Sequence, residues 1–186
     1  MLAAAITGGS VVIDDIVADH VTSTVETLRE IGVDVAITGR TCRVTAGKAI
    51  RPTDITTLPF PGFPTDMQAQ IMTILAVADG ISIITEKIYP DRFMHIAELS
   101  RMGAVVRKEG NCAIIQGIKE LHGAPVMASD LRASAALILA GMAATGTTEI
   151  TRVYHIDRGY ERIEERLNNL GAHIERVLDK KLVILS

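Results

Sequence analysis

Hydrophobic and polar residues follow one another along the chain in a pattern that occurs three times. Each copy opens with a β-rich segment after a glycine, passes through a polar turn and enters a helix that ends at a second glycine. Apolar residues at steps of three and four mark one face of each helix: Val25, Leu28 and Ile31; Ile96, Leu99 and Met102; Ile163, Leu167 and Leu170. The glycines that follow these helices stand where a C-cap is expected: Gly32, Gly103 and Gly171.

The three copies also align with one another as internal repeats. The segment from Gly9 aligns without a gap with the segment from Gly80, and a third copy starts at Gly146. Each helix precedes a strand rich in branched residues, in "CRVTAG", "AIIQG" and "LVILS". Because repeats fix an architecture, we expect a single domain, residues 1–186, made of three units at about 1–61, 62–123 and 124–186.

A second kind of helix precedes two of the copies and is apolar on its inner side. Its apolar positions match in the two copies: Met67, Ile71, Ile74, Leu75 and Ala78; Leu131, Ala135, Ile138, Leu139 and Met142. We therefore expect helices over 66–78 and 130–144 that are buried side by side. The first copy has only the tail of such a helix, in "MLAAAITGG". This predicts that the first unit is truncated at its amino terminus and that the chain is a piece of a longer protein.

Units of this kind predict an α/β (α+β) fold with pseudo-threefold symmetry. Each unit is of the βαβ type, and the buried helices would share one core. The pattern leaves an alternative open. The same units would also suit a two-layer α+β domain that arose by duplication without threefold closure.

Composition and charge narrow the classes of function. The formal net charge is −3, and the lysines and arginines are dispersed among acids, so the chain lacks the cationic surface that nucleic acid requires. The longest apolar stretch, "ASAALILAGMAA", is too short to span a bilayer. Cys42 and Cys112 are predicted to be buried, inert thiols. We expect a cytoplasmic protein that binds neither nucleic acid nor membrane.

Two acidic residues stand at the starts of the buried helices. Thr65 and Gln68 flank Asp66 in the pattern of a capping box, which predicts Asp66 in the first helical turn. Unpaired amides and the helix dipole would keep its carboxylate ionised there. Asp130 occupies the matching position after Ser129. The alternative is that Asp66 is only a cap.

Three arginines are expected near these acids. Arg132 is in the first turn of the second buried helix, and Arg92 and Arg158 lie at strand-to-helix turns. In a threefold arrangement such turns converge, so the two acids and three guanidiniums would share one mouth that suits a phosphorylated anion. The alternative pairs Arg92 with Asp91 and Arg158 with Asp157, or leaves these arginines on solvated turns. No metal-ligand spacing, catalytic triad or glycine-rich loop occurs, so no metal or cofactor is expected.

The motifs "PTDMQAQ", "DLRAS" and "HIDRGYE" closely resemble the carboxy-terminal part of the bacterial UDP-N-acetylglucosamine enolpyruvyl transferases. The resemblance covers nearly the whole chain. It implies an inverted α/β prism domain of three βαβαββ units, one of two domains that enclose the active site. It also implies transfer of the enolpyruvyl group of phosphoenolpyruvate to the 3-hydroxyl of UDP-N-acetylglucosamine, with release of phosphate. This reaction is the first committed step of peptidoglycan synthesis.

The resemblance also assigns roles to individual residues. Asp66 matches the residue that contacts the sugar hydroxyl and is proposed as its base. Ile88 matches a position that contacts the nucleotide sugar, and Arg92 matches a cleft arginine. The remaining candidates match acidic and phosphate-facing positions: Asp130, Arg132 and Arg158. The residues expected to act in catalysis are Asp66, Asp130 and Arg158.

Two elements of the family pattern are not matched. Neither "RTCRVT" nor "GNCAII" resembles the context of the family's loop cysteine, and the amino-terminal Lys-Asn element is absent. The resemblance therefore implies that this chain forms one wall of the site, that a missing complementary domain forms the other, and that the isolated chain is inactive. The alternative is a noncatalytic threefold-repeat module that binds anionic ligands or a partner.

Overall fold

Three sheets, each built from one stretch of the chain, organise the computed structural model, which describes residues 1–177 and 182–185. The first stretch contains α1 (Leu2–Ile6), β1 (Ser10–Ile13), α2 (Ala18–Glu30), β2 (Asp34–Thr38) and β3 (Thr41–Thr45). The second contains β4 (Ile55–Thr56), the 3₁₀ helix η1 (Thr65–Met67), α3 (Gln68–Leu75), β5 (Ile81–Thr85), α4 (His95–Arg101), β6 (Val105–Glu109) and β7 (Cys112–Gln116). The third contains β8 (Pro125–Met127), α5 (Leu131–Ala143), β9 (Thr148–Thr151), the 3₁₀ helix η2 (Val153–Arg158), α6 (Ile163–Asn168), β10 (Ile174–Val177) and β11 (Leu182–Leu185).

The second and third sheets have the same strand order. They run β4-β5-β7-β6 and β8-β9-β11-β10, and the first sheet runs β1-β3-β2. In both four-stranded sheets the first strand is parallel to the second, with a buried helix as the connection, and the other neighbours are antiparallel. Each of these stretches therefore has the order βαβαββ, which confirms the predicted class of repeated α/β units. The strand predicted in "LVILS" is present up to Leu185, and Ser186 lies outside the described residues.

Glycines end the outer helices, as the sequence predicts. Gly32, Gly103 and Gly171 have φ angles of 99°, 95° and 99°, in the left-handed region that only glycine adopts without strain. After α2, the amide of Val33 donates to the carbonyl of Leu28 at 2.9 Å, which is the long hydrogen bond of a Schellman motif. The chain is thereby turned back into the next strand of the same sheet.

The helices α1, α3 and α5 pack against one another at the centre of the molecule. Every residue of α3 is buried, and α5 is buried from Ala133 to Gly141. The hydroxyl of Thr73 on α3 reaches the carbonyl of Ala136 on α5 at 3.4 Å. The predicted burial of these two helices side by side is confirmed, although both are shorter than 66–78 and 130–144. The core is built mainly from Ile, Leu, Val and Ala, with a few Met and Phe side chains. A large aliphatic side chain contributes about 1.5–3 kcal/mol when fully buried.

The structure also shows the burial of the two cysteines and the character of the helices. Cys42 is buried on β3, as predicted, whereas Cys112 at the start of β7 is only half-buried, because it lies where that strand emerges from its turn; both thiols are free. None of the described helices has the length and apolar character needed to span a bilayer.

Candidate active site

One oxygen of Asp66 is the meeting point of two arginines. Its Oδ1 accepts a hydrogen bond from Nη1 of Arg92 at 2.6 Å and another from Nε of Arg132 at 2.8 Å, and Nη2 of Arg132 also lies 2.8 Å away. Asp66 belongs to η1, Arg92 to the turn after β5, and Arg132 to the first turn of α5. Three of the predicted residues, from two of the repeated units, are therefore in direct contact.

The two guanidiniums determine the charge state of Asp66. Partial burial by itself would raise the pKa of this carboxyl, but the hydrogen bonds from Arg92 and Arg132 outweigh it and hold the pKa below its ordinary value. The side chain of Asp66 is 59% exposed and that of Arg92 only 19%. Oδ2 accepts no hydrogen bond from any residue that the structure describes. Asp66 thus offers an ionised oxygen to a ligand on its open side.

The predicted capping box before α3 is absent. The hydroxyl of Thr65 donates to Oε2 of Glu86 at 2.9 Å instead of capping a helix, and the side chain of Asp66 accepts from no helix amide. Asp66 lies in a 3₁₀ turn that precedes the first turn of α3. The prediction was wrong because the buried carboxylate of Glu86, directly after β5, binds the threonine hydroxyl instead. The alternative in which Asp66 acts only as a cap is also wrong.

Asp130, not Asp66, is the residue that caps a helix. The sequence alone placed both acids at helix starts and did not show which of them caps. Its Oδ1 accepts from the amides of Arg132 and Ala133 at 2.8 and 3.1 Å, and Ser129 donates to its Oδ2 at 3.3 Å. This N-cap fixes the start of α5, where the chain presents the Arg132 side chain to Asp66. Asp130 therefore helps to hold Arg132 in contact with Asp66 by fixing the start of α5. Its part in catalysis stays a prediction.

Arg92 does not pair with its neighbour in the sequence. Asp91 lies 3.7 Å from the ammonium of Lys108, whereas Arg92 turns inward to Asp66. The guanidinium of Arg92 also lies 5.4 Å from the centroid of the Tyr89 ring, within the range of a cation–π contact. The alternative that paired Arg92 with Asp91 is wrong, and Arg92 is held instead between an aromatic ring and a carboxylate.

Arg158 is likewise not paired with Asp157. Both oxygens of Asp157 are bound by Arg176 on β10, at 2.7 and 3.0 Å, and Arg176 also binds Glu164 on α6 at 2.7 Å. Arg158 itself is exposed and forms no ion pair within the described part of the chain. The structure does not bring its side chain to Asp66.

The segment that carries Arg158 nevertheless lies beside α5. An added Cβ at Gly159 would come within 2.8 Å of Cδ2 of Leu131, so η2 ends in close contact with the first turn of that helix. Because Arg132 is the next residue after Leu131, the ends of the segments that bear Arg132 and Arg158 are neighbours. The turn that ends η2 therefore lies next to the start of α5, whereas a single mouth shared by all five predicted side chains stays a prediction.

Ile88 lies in the turn after β5 and is 42% exposed. Its backbone amide donates to Oε1 of Glu86 at 2.9 Å, and the amide of Tyr89 donates to the same atom at 3.0 Å. Glu86 is fully buried, and sequence reasoning did not identify it as a site residue. The sequence feature that could have identified Glu86 is its position directly after the alternating strand "ISIIT". Carboxylates are seldom buried, so an acid that continues a half-buried strand is unusual.

Buried polar groups occur next to this cluster. Among the described residues, both amide atoms of Gln68 and Nε2 of His95 have no hydrogen-bond partner. Burial lowers the pKa of His95 to about 4; the carboxylate of Asp130 opposes this shift and the charge of Arg92 adds to it. His95 is therefore neutral near neutral pH. Within the described residues, no group of three or more His, Cys, Asp or Glu side chains could hold a metal ion.

The class of protein follows from these features together with comparisons. The sequence profile of the EPSP synthase (3-phosphoshikimate 1-carboxyvinyltransferase) family matches residues 1–167, so the chain belongs to that family. A solved structure, the enolpyruvyl transferase NikO from Streptomyces tendae, superposes with a TM-score of 0.84 at 26% identity, over 94% of this chain and 42% of that chain. The inverted α/β prism class expected from the resemblance is thereby confirmed.

Within the family, curated relatives that are more than half identical to this chain share one name. The chain is 56% identical to a UDP-N-acetylglucosamine 1-carboxyvinyltransferase of Anaeromyxobacter dehalogenans and 52% identical to that of Desulfosudis oleivorans, over 177 residues in each case. Each match covers 95% of this chain, and the chain spans 42% of the length of each relative. The resemblance to UDP-N-acetylglucosamine enolpyruvyl transferases is therefore confirmed.

Proposed function

We propose that this chain is part of an enzyme that transfers the enolpyruvyl group of phosphoenolpyruvate to the 3-hydroxyl of UDP-N-acetylglucosamine and releases phosphate. The observation that carries the proposal is the contact of Asp66 with Arg92 and Arg132, in a chain 52–56% identical to enzymes named for this reaction. With these substrates, the reaction belongs to peptidoglycan synthesis and takes place in the cytoplasm.

Asp66 is the proposed base. The sugar oxygen attacks C2 of phosphoenolpyruvate while the π electrons of the double bond take up a proton at the methylene carbon, and the proton of the sugar hydroxyl passes to the free Oδ2 of Asp66. A methylene proton is then lost, the double bond forms again, and the bond from C2 to the phosphate oxygen breaks. Asp66 gives its proton to the departing phosphate. The support for this role is an ionised carboxylate with one oxygen held by arginines and the other open to a ligand.

The arginines regulate the basicity of Asp66. In this arrangement the carboxylate is a weak base, because the bonds from Arg92 and Arg132 lower its pKa. An anionic substrate that draws either guanidinium away removes those bonds and raises the affinity of Asp66 for a proton. The carboxylate therefore gains basicity when the phosphorylated partner is bound, which couples proton transfer to occupancy of the site.

The other candidates have supporting assignments. We assign Arg132 and Arg158 to the phosphate of phosphoenolpyruvate, since guanidiniums suit phosphate and the segments that carry them adjoin at Leu131 and Gly159. We assign Ile88 to the nucleotide sugar, because it is an exposed apolar residue on the turn beside Asp66. Asp130 stays among the catalytic candidates, and its N-cap contacts support a role in fixing α5.

We further propose that residues 1–186 form one domain of a two-domain enzyme, and that the complementary domain supplies the rest of the site. The supporting observations are that the chain spans 42% of the relatives and that neither Cys42 nor Cys112 has the context of the family's loop cysteine. Alone, the chain would lack one wall of a cleft that must exclude water. Weak binding of UDP-N-acetylglucosamine and no turnover are expected of it.

Reconstitution tests the proposal directly. Phosphate release is measured with the chain alone, and then with the chain joined to the amino-terminal part of the Anaeromyxobacter dehalogenans relative. The proposal predicts release only from the joined protein and only when both substrates are present. Folded, joined protein that binds UDP-N-acetylglucosamine but releases no phosphate would favour the noncatalytic module.

A further inference from the structure

Glu86 joins three separate segments of the chain through one buried carboxylate. Its Oε1 accepts from the hydroxyl of Thr57 at 2.6 Å and from the amides of Ile88 and Tyr89 at 2.9 and 3.0 Å. Its Oε2 accepts from the hydroxyl of Thr65 at 2.9 Å. Thr57 follows β4, Thr65 begins η1, and Ile88 and Tyr89 form the turn after β5.

Hydrogen bonds alone stabilise this charge. Burial raises the pKa of Glu86, but the bonds from Thr57, Thr65 and the two backbone amides outweigh burial and bring the pKa below its ordinary value. No cation pairs with Glu86 in the part of the chain that the structure describes. Since an ionised carboxylate without donors is very costly to bury, the fold favours geometries in which all four donors stay in place.

The segments that Glu86 holds are those that present the candidate site. Thr65 directly precedes Asp66, and the amide of Arg92 donates to the carbonyl of Tyr89 at 2.9 Å, so the turn bound by Glu86 continues to Arg92. A shift of the Thr65 end would move Asp66, and a shift of the Tyr89 end would move Arg92. Glu86 therefore holds both segments whose side chains, Asp66 and Arg92, form the contact.

We infer that Glu86 is a positioning residue that sets the separation between Asp66 and the turn of Ile88, Tyr89 and Arg92. The chemical identity of the ligand, a nucleotide sugar that spans from Ile88 to Asp66, rests on the proposed function. Glu86 is 0% exposed, so its carboxylate is closed off from a ligand in the cleft. It acts through the hydroxyl of Thr65 on one side and through two backbone amides on the other.

Three variants separate positioning from a general contribution to stability. Glu86→Gln keeps the size of the side chain but replaces one acceptor oxygen by a donor group. Thr65→Val removes only the hydroxyl that binds Oε2, and Thr65→Ser restores it. The matched control is Glu109→Gln, on β6 of the same sheet, where an exposed carboxylate pairs with Arg107 at 2.7 Å.

The first measurement is made by NMR on the chain itself. Amide hydrogen exchange at Ile88 and Tyr89 is expected to accelerate by about tenfold or more in Glu86→Gln, since a neutral amide oxygen is a weaker acceptor than the ionised carboxylate. In Thr65→Val, the titration midpoint of Asp66 is expected to move up toward its ordinary value, because the carboxylate is no longer held at Arg92. Thr65→Ser and Glu109→Gln should match the wild type in both.

The second measurement uses the joined enzyme. Thr65→Val is expected to lower kcat by about tenfold, a typical effect of a misplaced base. Thr65→Ser should have a kcat within about twofold of the wild-type value. The inference is overturned if Glu86→Gln leaves amide exchange unchanged, or if Thr65→Val leaves the Asp66 midpoint unchanged. If the wild-type joined enzyme releases no phosphate, the proposed function fails, and the exchange and titration results still decide the role of Glu86.

Discussion

Asp66 and Arg132 are 66 positions apart in the sequence, and Nε of Arg132 lies 2.8 Å from Oδ1 of Asp66. The contact joins the start of α3 to the start of α5, the two central helices of neighbouring units. Repeated units place equivalent helix starts at the same end of the molecule, so an acid from one unit meets an arginine from the next. The contact at the candidate site is thus a consequence of the repeat.

Lysine is expected to be a poor replacement for Arg132. Arg132 approaches Oδ1 of Asp66 with both Nε and Nη2 at 2.8 Å, a geometry that a single ammonium cannot reproduce. Arg132→Lys should lower kcat/KM of the joined enzyme roughly tenfold. A hydrogen bond between charged groups is worth about 1.5–3 kcal/mol, and the effect should lie near the small end of this range because the pair is partly exposed. The control is Arg40→Lys, at the exposed pair with Asp15. Equal kcat/KM for Arg132→Lys and wild type would show that the charge alone matters.

Gly159 is expected to set the position of Arg158. A Cβ at this residue would lie 2.8 Å from Cδ2 and 3.1 Å from Cδ1 of Leu131, so Gly159→Ala shifts the Leu131 side chain or the end of η2. Overpacking typically costs about 1–3 kcal/mol, and a shift of η2 that carries Arg158 with it should raise the KM for phosphoenolpyruvate roughly fivefold. Adding Leu131→Ala removes the clash and should restore the KM. An unchanged KM in Gly159→Ala would show that the position of Arg158 does not affect binding of phosphoenolpyruvate.

His95 is expected to make stability depend on pH. Its folded pKa is about 4 and its ordinary value 6.5, so as pH falls below 6.5 the unfolded chain takes up a proton that the folded chain excludes. The free energy of unfolding should then fall by up to about 1.4 kcal/mol for each pH unit. Above this range the histidine contributes no pH dependence.

Chemical denaturation between about pH 6.5 and 5 measures this contribution, above the range in which carboxylates with lowered pKa values are protonated. His95→Gln should flatten the dependence of the unfolding free energy on pH, whatever its effect on absolute stability. His20→Gln, at an exposed histidine of α2, is the control and should keep the wild-type slope. A slope that is the same in His95→Gln and wild type would contradict a neutral, buried His95.

The order of the elements could be predicted from the sequence because it depends on local patterns. Apolar steps of three and four residues and the glycines after them identified α2, α4 and α6, and the matching apolar positions identified α3 and α5. The strands β4 and β8 were missed because stretches of two and three residues show no alternation. They became strands only by pairing in parallel with β5 and β9, which the central helices bring alongside.

The site could be predicted in part, and the misses share one cause. Repeat symmetry was enough to expect Asp66 near Arg92 and Arg132. The capping box at Thr65 was a sound local prediction, but Glu86, 21 positions away, binds the hydroxyl instead. Competition between a local and a distant partner depends on tertiary geometry, which a single sequence does not contain.

Single-turnover phosphate release by the joined enzyme measures whether Asp66 takes the proton of the sugar hydroxyl. Asp66→Asn keeps the volume and one oxygen, and it removes only a partly exposed ion pair, worth about 1 kcal/mol or less. Asp15→Asn, at the exposed pair with Arg40, is the matched control. We expect this rate to fall by about a hundredfold or more in Asp66→Asn, as for the loss of a positioned base, with a melting temperature close to that of Asp15→Asn. A fall of less than about fivefold, together with a lower melting temperature, would show that Asp66 serves the fold and not the reaction.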